Sequence, residues 1–157
     1  MSDNPIKNRW AHPTWMFLHC ISEKIHPEFY RKNYKEFIDK VLKTILNNLP
    51  CPACAHHSKS KIKMLKYEDI DTKEKLKKWI FDFHNEVNSR IGKQVFPINI
   101  LEQYKTYNIR KIYNIFLNKF FSSYYTGSAM GSVISQRKTK QIIINFFNKH
   151  GGNIFKG

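Results

Sequence analysis

Apolar residues recur at helical spacing along most of this chain. In the clearest stripe, apolar residues recur every three or four positions, which predicts an amphipathic helix over about residues 30–48. Its members are Phe37, Ile38, Val41, Leu42, Ile45 and Leu49. A second stripe predicts a helix that begins at Asp71 or Thr72 and stops at Gly92. Its members are Leu76, Ile80, Phe83, Val87 and Ile91. Strand-like alternation is rare, so the pattern predicts an all-α fold.

Three further helical segments complete the first two thirds of the chain. The first is predicted to start at Pro13-Thr14 and to end before His26-Pro27, because a residue before proline avoids the helical region. Another begins at Cys51 and continues to about residue 65. A short one covers about residues 98–107, after the turn at Phe96-Pro97. The sequence therefore predicts five helices before the composition changes.

The last fifty residues differ from the rest in composition. Residues 109–121 are apolar and basic and can form a helix, residues 122–135 read as a Gly/Ser linker, and residues 136–150 as a short amphipathic helix. Residues 108–157 contain eight basic residues and no acidic one, in a chain of net charge +15. Such a segment can contact nucleic acid, an anionic surface or an acidic partner, or it can be a solvated tail.

Cysteine content and hydropathy restrict the class of protein. Three cysteines, Cys20, Cys51 and Cys54, are too few for a disulfide framework. No signal peptide and no stretch of about 20 apolar residues stands out. We therefore expect a soluble cytosolic protein without a transmembrane segment. In that setting a C-x-x-C pair is typical of catalysis or metal binding.

The C-x-x-C pair carries the strongest chemical signal. Cys51 precedes Pro52, and proline suits the first position of a helix. Cys51 is then the cap of a new helix and Cys54 its third residue. This geometry directs unpaired backbone N–H groups and the positive end of the helix dipole at the sulfurs. Because these groups favour the thiolate, the motif predicts a redox-active dithiol.

Polar and aromatic side chains interrupt the apolar stripes at helical spacing. His84 and Asn88 lie four apart on the apolar face of one predicted helix, and Trp15 and His19 lie four apart on another. His57 follows the dithiol by one turn. Each could be a core residue bonded to the backbone. Together they suit a planar heteroaromatic cofactor, which aromatic faces would stack on and imidazole or amide groups would bind.

These residues occur in an order that resembles the Erv/ALR flavin-linked sulfhydryl oxidases, most closely the short members encoded by large cytoplasmic DNA viruses. The resemblance covers about residues 6–107. The motifs that carry it are Trp10, Trp15-x-x-x-His19, Cys51-x-x-Cys54-x-x-His57 and the segment 79–93 with His84-Asn85-x-Val87-Asn88. It implies an Erv/ALR-like domain over residues 6–107, built as a four-helix bundle with a short fifth helix. Residues 108–157 would form a basic C-terminal extension.

The resemblance also implies a cofactor and a set of site residues. Cys51 and Cys54 would form the redox disulfide, with Cys54 next to the flavin and Cys51 attacked by the substrate thiolate. FAD would be the cofactor, and no metal is expected. The implied FAD-binding residues are Trp10, Trp15, His19, His57, Trp79, His84, Asn85, Val87, Asn88, Ile91, Lys93 and Phe96.

The implied activity is FAD-dependent thiol oxidation, which forms disulfides from dithiols and reduces O₂ to H₂O₂. Implied partners are protein dithiols, reached directly or through a thioredoxin-like relay protein, because this chain has no second C-x-x-C pair. A homodimer through the first two helices is implied as well. The viral resemblance points to virion proteins as substrates and to the host cytoplasm, and the virion, as the place of action. Cys20 is expected to be buried packing.

Two other classes of function stay open on the residues alone. Cys51, Cys54 and His57 have spacing that permits a zinc site, with Cys20 or His56 as the fourth ligand. The high positive charge would also suit a nucleic-acid-binding protein. The zinc hypothesis leaves Trp15 unexplained, and the nucleic-acid hypothesis leaves the dithiol unexplained.

Overall fold

The computed structural model describes residues 5–122 and 133–156, with side chains from residue 9 onward. All regular elements in these ranges are helical, which confirms the predicted all-α class. They are α1 (Pro5–Lys24), α2 (Pro27–Phe37), a π-helical turn (Ile38–Leu42), α3 (Lys43–Leu46), α4 (Pro52–Met64), a 3₁₀ helix (Tyr67–Ile70), α5 (Lys73–Arg90), a 3₁₀ helix (Ile98–Lys105), α6 (Ile109–Ser122), α7 (Val133–His150) and a 3₁₀ helix (Gly151–Phe155). Most of the predicted Gly/Ser linker lies outside the described residues. Among the described helices, none combines the length and apolar character needed to cross a bilayer.

Helix α1 begins earlier than the sequence predicts and contains Pro13 in its interior. The predicted start at Pro13 is therefore wrong. Proline has no N–H to donate to the carbonyl four residues earlier. The carbonyl left without this donor is that of Arg9, while the Thr14 hydroxyl donates to the next carbonyl, that of Trp10, at 2.6 Å. Trp10 and Trp15 nevertheless lie on one continuous helix.

The predicted helix over residues 30–48 is divided in the structure. It begins at Pro27, with His26 as the cap whose Nδ1 accepts a hydrogen bond from the Glu28 amide. The π-helical turn separates α2 from α3, and there the Thr44 hydroxyl donates to the Asp39 carbonyl at 3.2 Å. The apolar stripe stays inside throughout, with Phe37, Val41 and the other stripe residues up to Ile45 at most 1% exposed.

The two helices that follow have the predicted ends. Cys51 caps α4, and Thr72 caps α5 by accepting a hydrogen bond from the Lys75 amide. Gly92 ends the last turn after α5 with a φ of 72°, a left-handed conformation that glycine adopts without strain. The predicted fifth helix is a 3₁₀ helix, Ile98–Lys105. It packs against α1, and Lys24 Nζ donates to the Lys105 carbonyl at 2.6 Å.

The described parts of the C-terminal extension pack on the bundle. Helix α6 lies along α1, where the Phe116 ring stacks on Phe17 with centroids 4.6 Å apart. Helix α7 lies against the π-helical turn and α3, and Phe146 contacts Phe37 edge-on at 5.8 Å. The His26 amide donates to the Ile154 carbonyl at 2.8 Å. Both helices thus complete the apolar core, and the domain boundary at residue 107 stays a prediction.

Candidate active site

The dithiol lies at the N-terminus of α4, as its sequence predicts. Cys51 and Cys54 form a disulfide with their Cα atoms 5.1 Å apart. The Cys54 amide donates to Cys51 Sγ at 3.3 Å, so the sulfur replaces a side-chain oxygen as the helix cap. The positive end of the helix dipole therefore acts on this sulfur pair and stabilises a thiolate formed there.

A cavity of about 780 Å³ opens beside Cys54, a size typical of a small-molecule or cofactor site. Its walls come from α1, the start of α4, α5 and the 3₁₀ helix Ile98–Lys105. Cys54 and His57 line this cavity, whereas Cys51 is outside its lining in the described part of the chain. The two sulfurs of one disulfide therefore have different surroundings. Cys54 lines a cofactor-sized cavity, whereas Cys51 is partly buried outside that lining.

Eleven of the twelve predicted cofactor residues line the cavity. They are Trp10, Trp15, His19, His57, His84, Asn85, Val87, Asn88, Ile91, Lys93 and Phe96. The structure does not bring Trp79 to the cavity, since its ring packs on Phe83 at 5.4 Å. Phe83 in turn contacts Trp15 at 5.6 Å and His57 at 5.7 Å. Phe83 thus lies between Trp79 and the lining residues Trp15 and His57.

A pair of histidines joins α1 to α5 within this wall. His19 Nε2 and His84 Nδ1 are 2.8 Å apart, and the His84 ring stacks on Trp15 at 4.1 Å with an interplanar angle of 4°. Burial, with the neighbouring His84 second, lowers the pKa of His19 to about 3. Burial, followed by His12 and Lys93, lowers the pKa of His84 to about 4. Both rings are therefore neutral at pH 7, and one N–H donates to the other ring's lone pair.

Several lining residues were missed by the sequence analysis. Three of them belong to the 3₁₀ helix Ile98–Lys105, namely Ile100, Gln103 and Tyr104. Tyr104 stacks on His19 at 5.0 Å, and burial raises its pKa to about 12. The segment 98–107 carries no strong helical stripe, so nothing local indicated that it returns to α1. Leu46, Leu49, Ser58 and Phe81 also line the cavity without a distinguishing sequence signal.

Asn85 has a role that its motif did not reveal. Its Nδ2 donates to the Phe96 carbonyl at 2.9 Å, and its Oδ1 accepts from the Phe96 amide at 3.0 Å. Both polar ends of the side chain are thus paired with one backbone unit. Together with the Lys93 amide, which donates to the Asn88 carbonyl at 2.8 Å, these bonds fix the chain after α5 against the helix.

Two buried polar atoms in the wall fit a polar aromatic ligand. Trp10 Nε1 and His19 Nδ1 are buried and have no hydrogen-bond partner among the described residues. Leaving such a group unpaired costs about 1–3 kcal/mol, so a ligand that bonds them would gain affinity. Arg90 and Lys93 add positive charge that suits a diphosphate. The donor set therefore fits FAD.

The zinc hypothesis is not favoured by the geometry. Cys51 and Cys54 are bonded to each other, whereas zinc binds thiolates. Across the described residues, no three His, Cys, Asp or Glu side chains converge as a metal site would require. Cys20 is buried, as predicted, and burial raises its pKa to about 11.

Comparison with known proteins gives consistent relatives. The sulfhydryl oxidase ERV1 of Arabidopsis thaliana, named as FAD-linked, is 34% identical over 98 residues, which cover 61% of this chain and 50% of that protein. The mitochondrial FAD-linked sulfhydryl oxidase erv1 of Schizosaccharomyces pombe is 33% identical over 90 residues, covering 55% and 48%. An African swine fever virus protein named FAD-linked sulfhydryl oxidase is 30% identical over 98 residues, covering 60% and 81%. The match thus spans about half the length of the cellular relatives.

No solved structure gives a significant match. The sequence profile of the Erv1/Alr family matches residues 12–111, which include the dithiol and, apart from Trp10 and Ala11, the residues that line the cavity. The chain belongs to the Erv1/Alr family.

Proposed function

We propose that this protein is an FAD-dependent sulfhydryl oxidase that converts two thiols and O₂ into a disulfide and H₂O₂. One observation carries the proposal: the Cys51–Cys54 disulfide presents only Cys54 to a cavity whose wall holds two unpaired buried polar atoms. The relatives named FAD-linked sulfhydryl oxidases support it.

The first step is a thiol–disulfide exchange at the outer sulfur. A substrate thiolate attacks Cys51 Sγ, the bond to Cys54 breaks, and Cys54 leaves as a thiolate. The second substrate thiolate then attacks the substrate sulfur of the mixed disulfide and releases Cys51. The substrate has lost two electrons, which the Cys51/Cys54 pair now holds, and two protons pass to solvent. The N-terminus of α4 stabilises the thiolates that form.

FAD bound in the cavity would accept this electron pair and pass it to O₂. Trp10 and His19 would bind polar edges of the cofactor, and Trp15 would supply apolar contact. The His19–His84 pair stays neutral, so it can donate a hydrogen bond without adding positive charge to the site. Lys93 would neutralise the diphosphate.

Finer parts of the function stay proposals. Protein dithiols are the substrates, reached directly or through a thioredoxin-like relay. The relative from African swine fever virus supports a viral setting, in which virion proteins would be the substrates and the host cytoplasm or the virion the place of action. The plant and yeast relatives match this chain at similar identity. A homodimer through the first two helices is proposed as well. Its interface has to use surface that α6 leaves uncovered on α1 and that the 3₁₀ helix Gly151–Phe155 leaves uncovered on α2. Binding of nucleic acid or an anionic surface by the basic extension is a separate proposal.

Absorption spectroscopy and oxygen uptake test the proposal together. The purified protein should show a visible flavin band, release FAD on denaturation, and consume O₂ with dithiothreitol while forming H₂O₂. The Cys54→Ser variant should keep the flavin band and lose oxygen consumption. A colourless protein, or full turnover in the variant, would contradict the proposed oxidase.

A further inference from the structure

The helix that carries the redox disulfide has an uncompensated positive face. Helix α4 contains three lysines, two histidines and no acidic residue. His56, Lys59 and Lys63 are exposed and continue from exposed Pro52 at spacings of four, three and four residues. These spacings place them on one side of the helix. We call Pro52, His56, Lys59 and Lys63 the α4 basic stripe.

Within the described residues, the two lysines of the stripe differ from many other lysines in having no carboxylate partner. Lys61, on another side of α4, pairs with Glu86, and Lys75, Lys77 and Lys78 pair with carboxylates elsewhere on the molecule. Across the described residues, neither Lys59 nor Lys63 forms an ion pair with a carboxylate. Their charge is therefore available to a second molecule.

The stripe begins next to the sulfur that a substrate must reach. Pro52 follows Cys51 directly, and a rise of about 1.5 Å per residue places Lys59 and Lys63 about 12 and 18 Å along the axis from Cys51. A protein docked with its thiolate at Cys51 would cover this distance, since a standard interface buries about 800 Å² per partner. Dithiothreitol is too small to reach Lys59 or Lys63 while its thiolate reacts at Cys51.

We propose that the α4 basic stripe is the docking surface for the protein substrate, and that this substrate carries acidic residues beside its dithiol. The inference rests on the proposed attack at Cys51, and it extends the proposed function by naming the class of dithiol substrate that the protein would prefer. Opposite charge at the rim of an interface raises the association rate and loses its effect at high ionic strength. The stripe thus favours acidic substrates by raising their association rate, while the exchange reaction at Cys51 is the same for all substrates.

The test measures the exchange step alone on the full-length protein. Reduced peptide is mixed anaerobically with the oxidised protein, and acid quenching with alkylation gives the rate at which Cys51–Cys54 oxidises the peptide thiols, wherever the electrons then go. One peptide carries Glu on both sides of its Cys pair, a second carries Gln there, and dithiothreitol is the third reductant. Because this rate needs no flavin, it separates the docking inference from the oxidase proposal, which oxygen uptake tests.

The variants change charge on the stripe and on a distant surface. The double variant Lys59→Glu/Lys63→Glu should lower the exchange rate with the Glu peptide about tenfold or more, given the usual size of electrostatic steering. The Gln peptide and dithiothreitol should change less than about twofold. Lys59→Gln/Lys63→Gln should give an intermediate loss. The control Arg110→Glu/Lys111→Glu makes the same charge change on exposed positions of α6 and should leave all three rates unchanged.

Ionic strength gives a second measurement that needs no variant. For the wild-type protein, the advantage of the Glu peptide should disappear between about 0.01 and 1 M salt, as the screening length falls from about 30 to about 3 Å. Equal rates of the Glu peptide with wild type and the Lys59→Glu/Lys63→Glu variant would overturn the proposal. So would an equal loss with all three reductants, or an advantage that is insensitive to salt.

Discussion

Lys61 on α4 donates to Glu86 on α5 at 2.5 Å, and this pair ties the helix of the dithiol to the helix of the histidine wall. The other Glu86 oxygen lies 3.4 Å from His57 Nε2. Hydrogen bonding by Lys61, the largest favourable contribution, keeps the pKa of Glu86 below its usual range. One carboxylate therefore holds both a cation and the imidazole that lines the cavity beside Cys54.

We expect Glu86→Gln to affect cofactor retention more than stability. The Lys61–Glu86 pair is partly exposed, so its loss should cost only about 0–1 kcal/mol in unfolding free energy. Glutamine keeps one acceptor oxygen but loses the negative charge that holds both Lys61 and His57, so FAD dissociation should become several-fold faster when followed by flavin fluorescence. Asp82→Asn is the control, because Asp82 pairs with Lys78 on the exposed side of the same helix. Similar FAD dissociation rates in the two variants would contradict this role.

The neutral His19–His84 pair predicts a loss of stability in acid. Each histidine has a folded pKa, about 3 or 4, that lies below its ordinary value of 6.5. Below pH 6.5 the unfolded chain therefore binds protons that the folded chain does not, so stability falls as pH falls. Between pH 7 and 5 the loss should be roughly 1–2 kcal/mol per histidine, since one pKa unit corresponds to about 1.4 kcal/mol.

Denaturant titrations of the cofactor-free chain at pH 5, 6 and 7 measure this dependence. In the double variant His19→Gln/His84→Gln the slope of stability against pH should flatten over this interval, although the variant is less stable at pH 7. A wild-type chain equally stable at pH 5 and 7 would show that the pair does not resist protonation.

The two cysteines should differ in what they trap. In Cys54→Ser the remaining Cys51 can hold a mixed disulfide that no neighbouring thiolate resolves. Incubated with an oxidised small disulfide, this variant should accumulate the adduct on Cys51 faster than Cys51→Ser does on Cys54, because only Cys54 lines the cavity. Intact-mass spectrometry measures both rates. Cys20→Ser is the control and should leave the exchange unchanged, since Cys20 is buried.

Trp15 and Trp79 should contribute unequally to FAD affinity. Trp15 lines the cavity and stacks on His84, whereas Trp79 is outside the lining and packs on Phe83, which in turn contacts Trp15. Trp15→Ala should weaken FAD binding at least about tenfold, the equivalent of about 1.4 kcal/mol. Trp79→Ala should weaken it much less, as measured by fluorescence titration of the FAD-free protein. A larger effect at Trp79 would restore the direct contact that the sequence resemblance implies.

The packing of α6 on α1 predicts that the extension stabilises the whole fold. Phe116 is fully buried and stacks on Phe17, so Phe116→Ala should cost about 3–5 kcal/mol of unfolding free energy. Its neighbour Ile115 is 46% exposed, and Ile115→Ala should cost less than about 1 kcal/mol. Chemical denaturation compares the two. If both variants match the wild type, α6 does not contribute to the core in solution.

Local signals in the sequence predicted much of the site. The caps at Cys51 and Thr72 and the stop at Gly92 depend on residues within one turn, and all three hold in the structure. The spacing of Trp15 and His19, and of His84 and Asn88, placed these side chains on one wall because helical period fixes which residues share a face. Motif resemblance, by contrast, could not show that Trp79 lies behind Phe83.

Other features depended on distant contacts. Pro13 disfavours a helix interior, yet α1 continues through it, and nothing near Tyr104 indicates that its ring will stack on His19. The helices after residue 108 read as a basic appendage, because their charge is visible in the sequence while the partners of Phe116 and Phe146 are not. The amino-acid sequence by itself determined the all-α class, the caps at Cys51 and Thr72 and the position of the dithiol, since these follow from local backbone chemistry. Only the tertiary structure decided that Trp79 packs on Phe83 outside the cavity lining and how the C-terminal helices close the core, because both depend on how whole helices pack against one another.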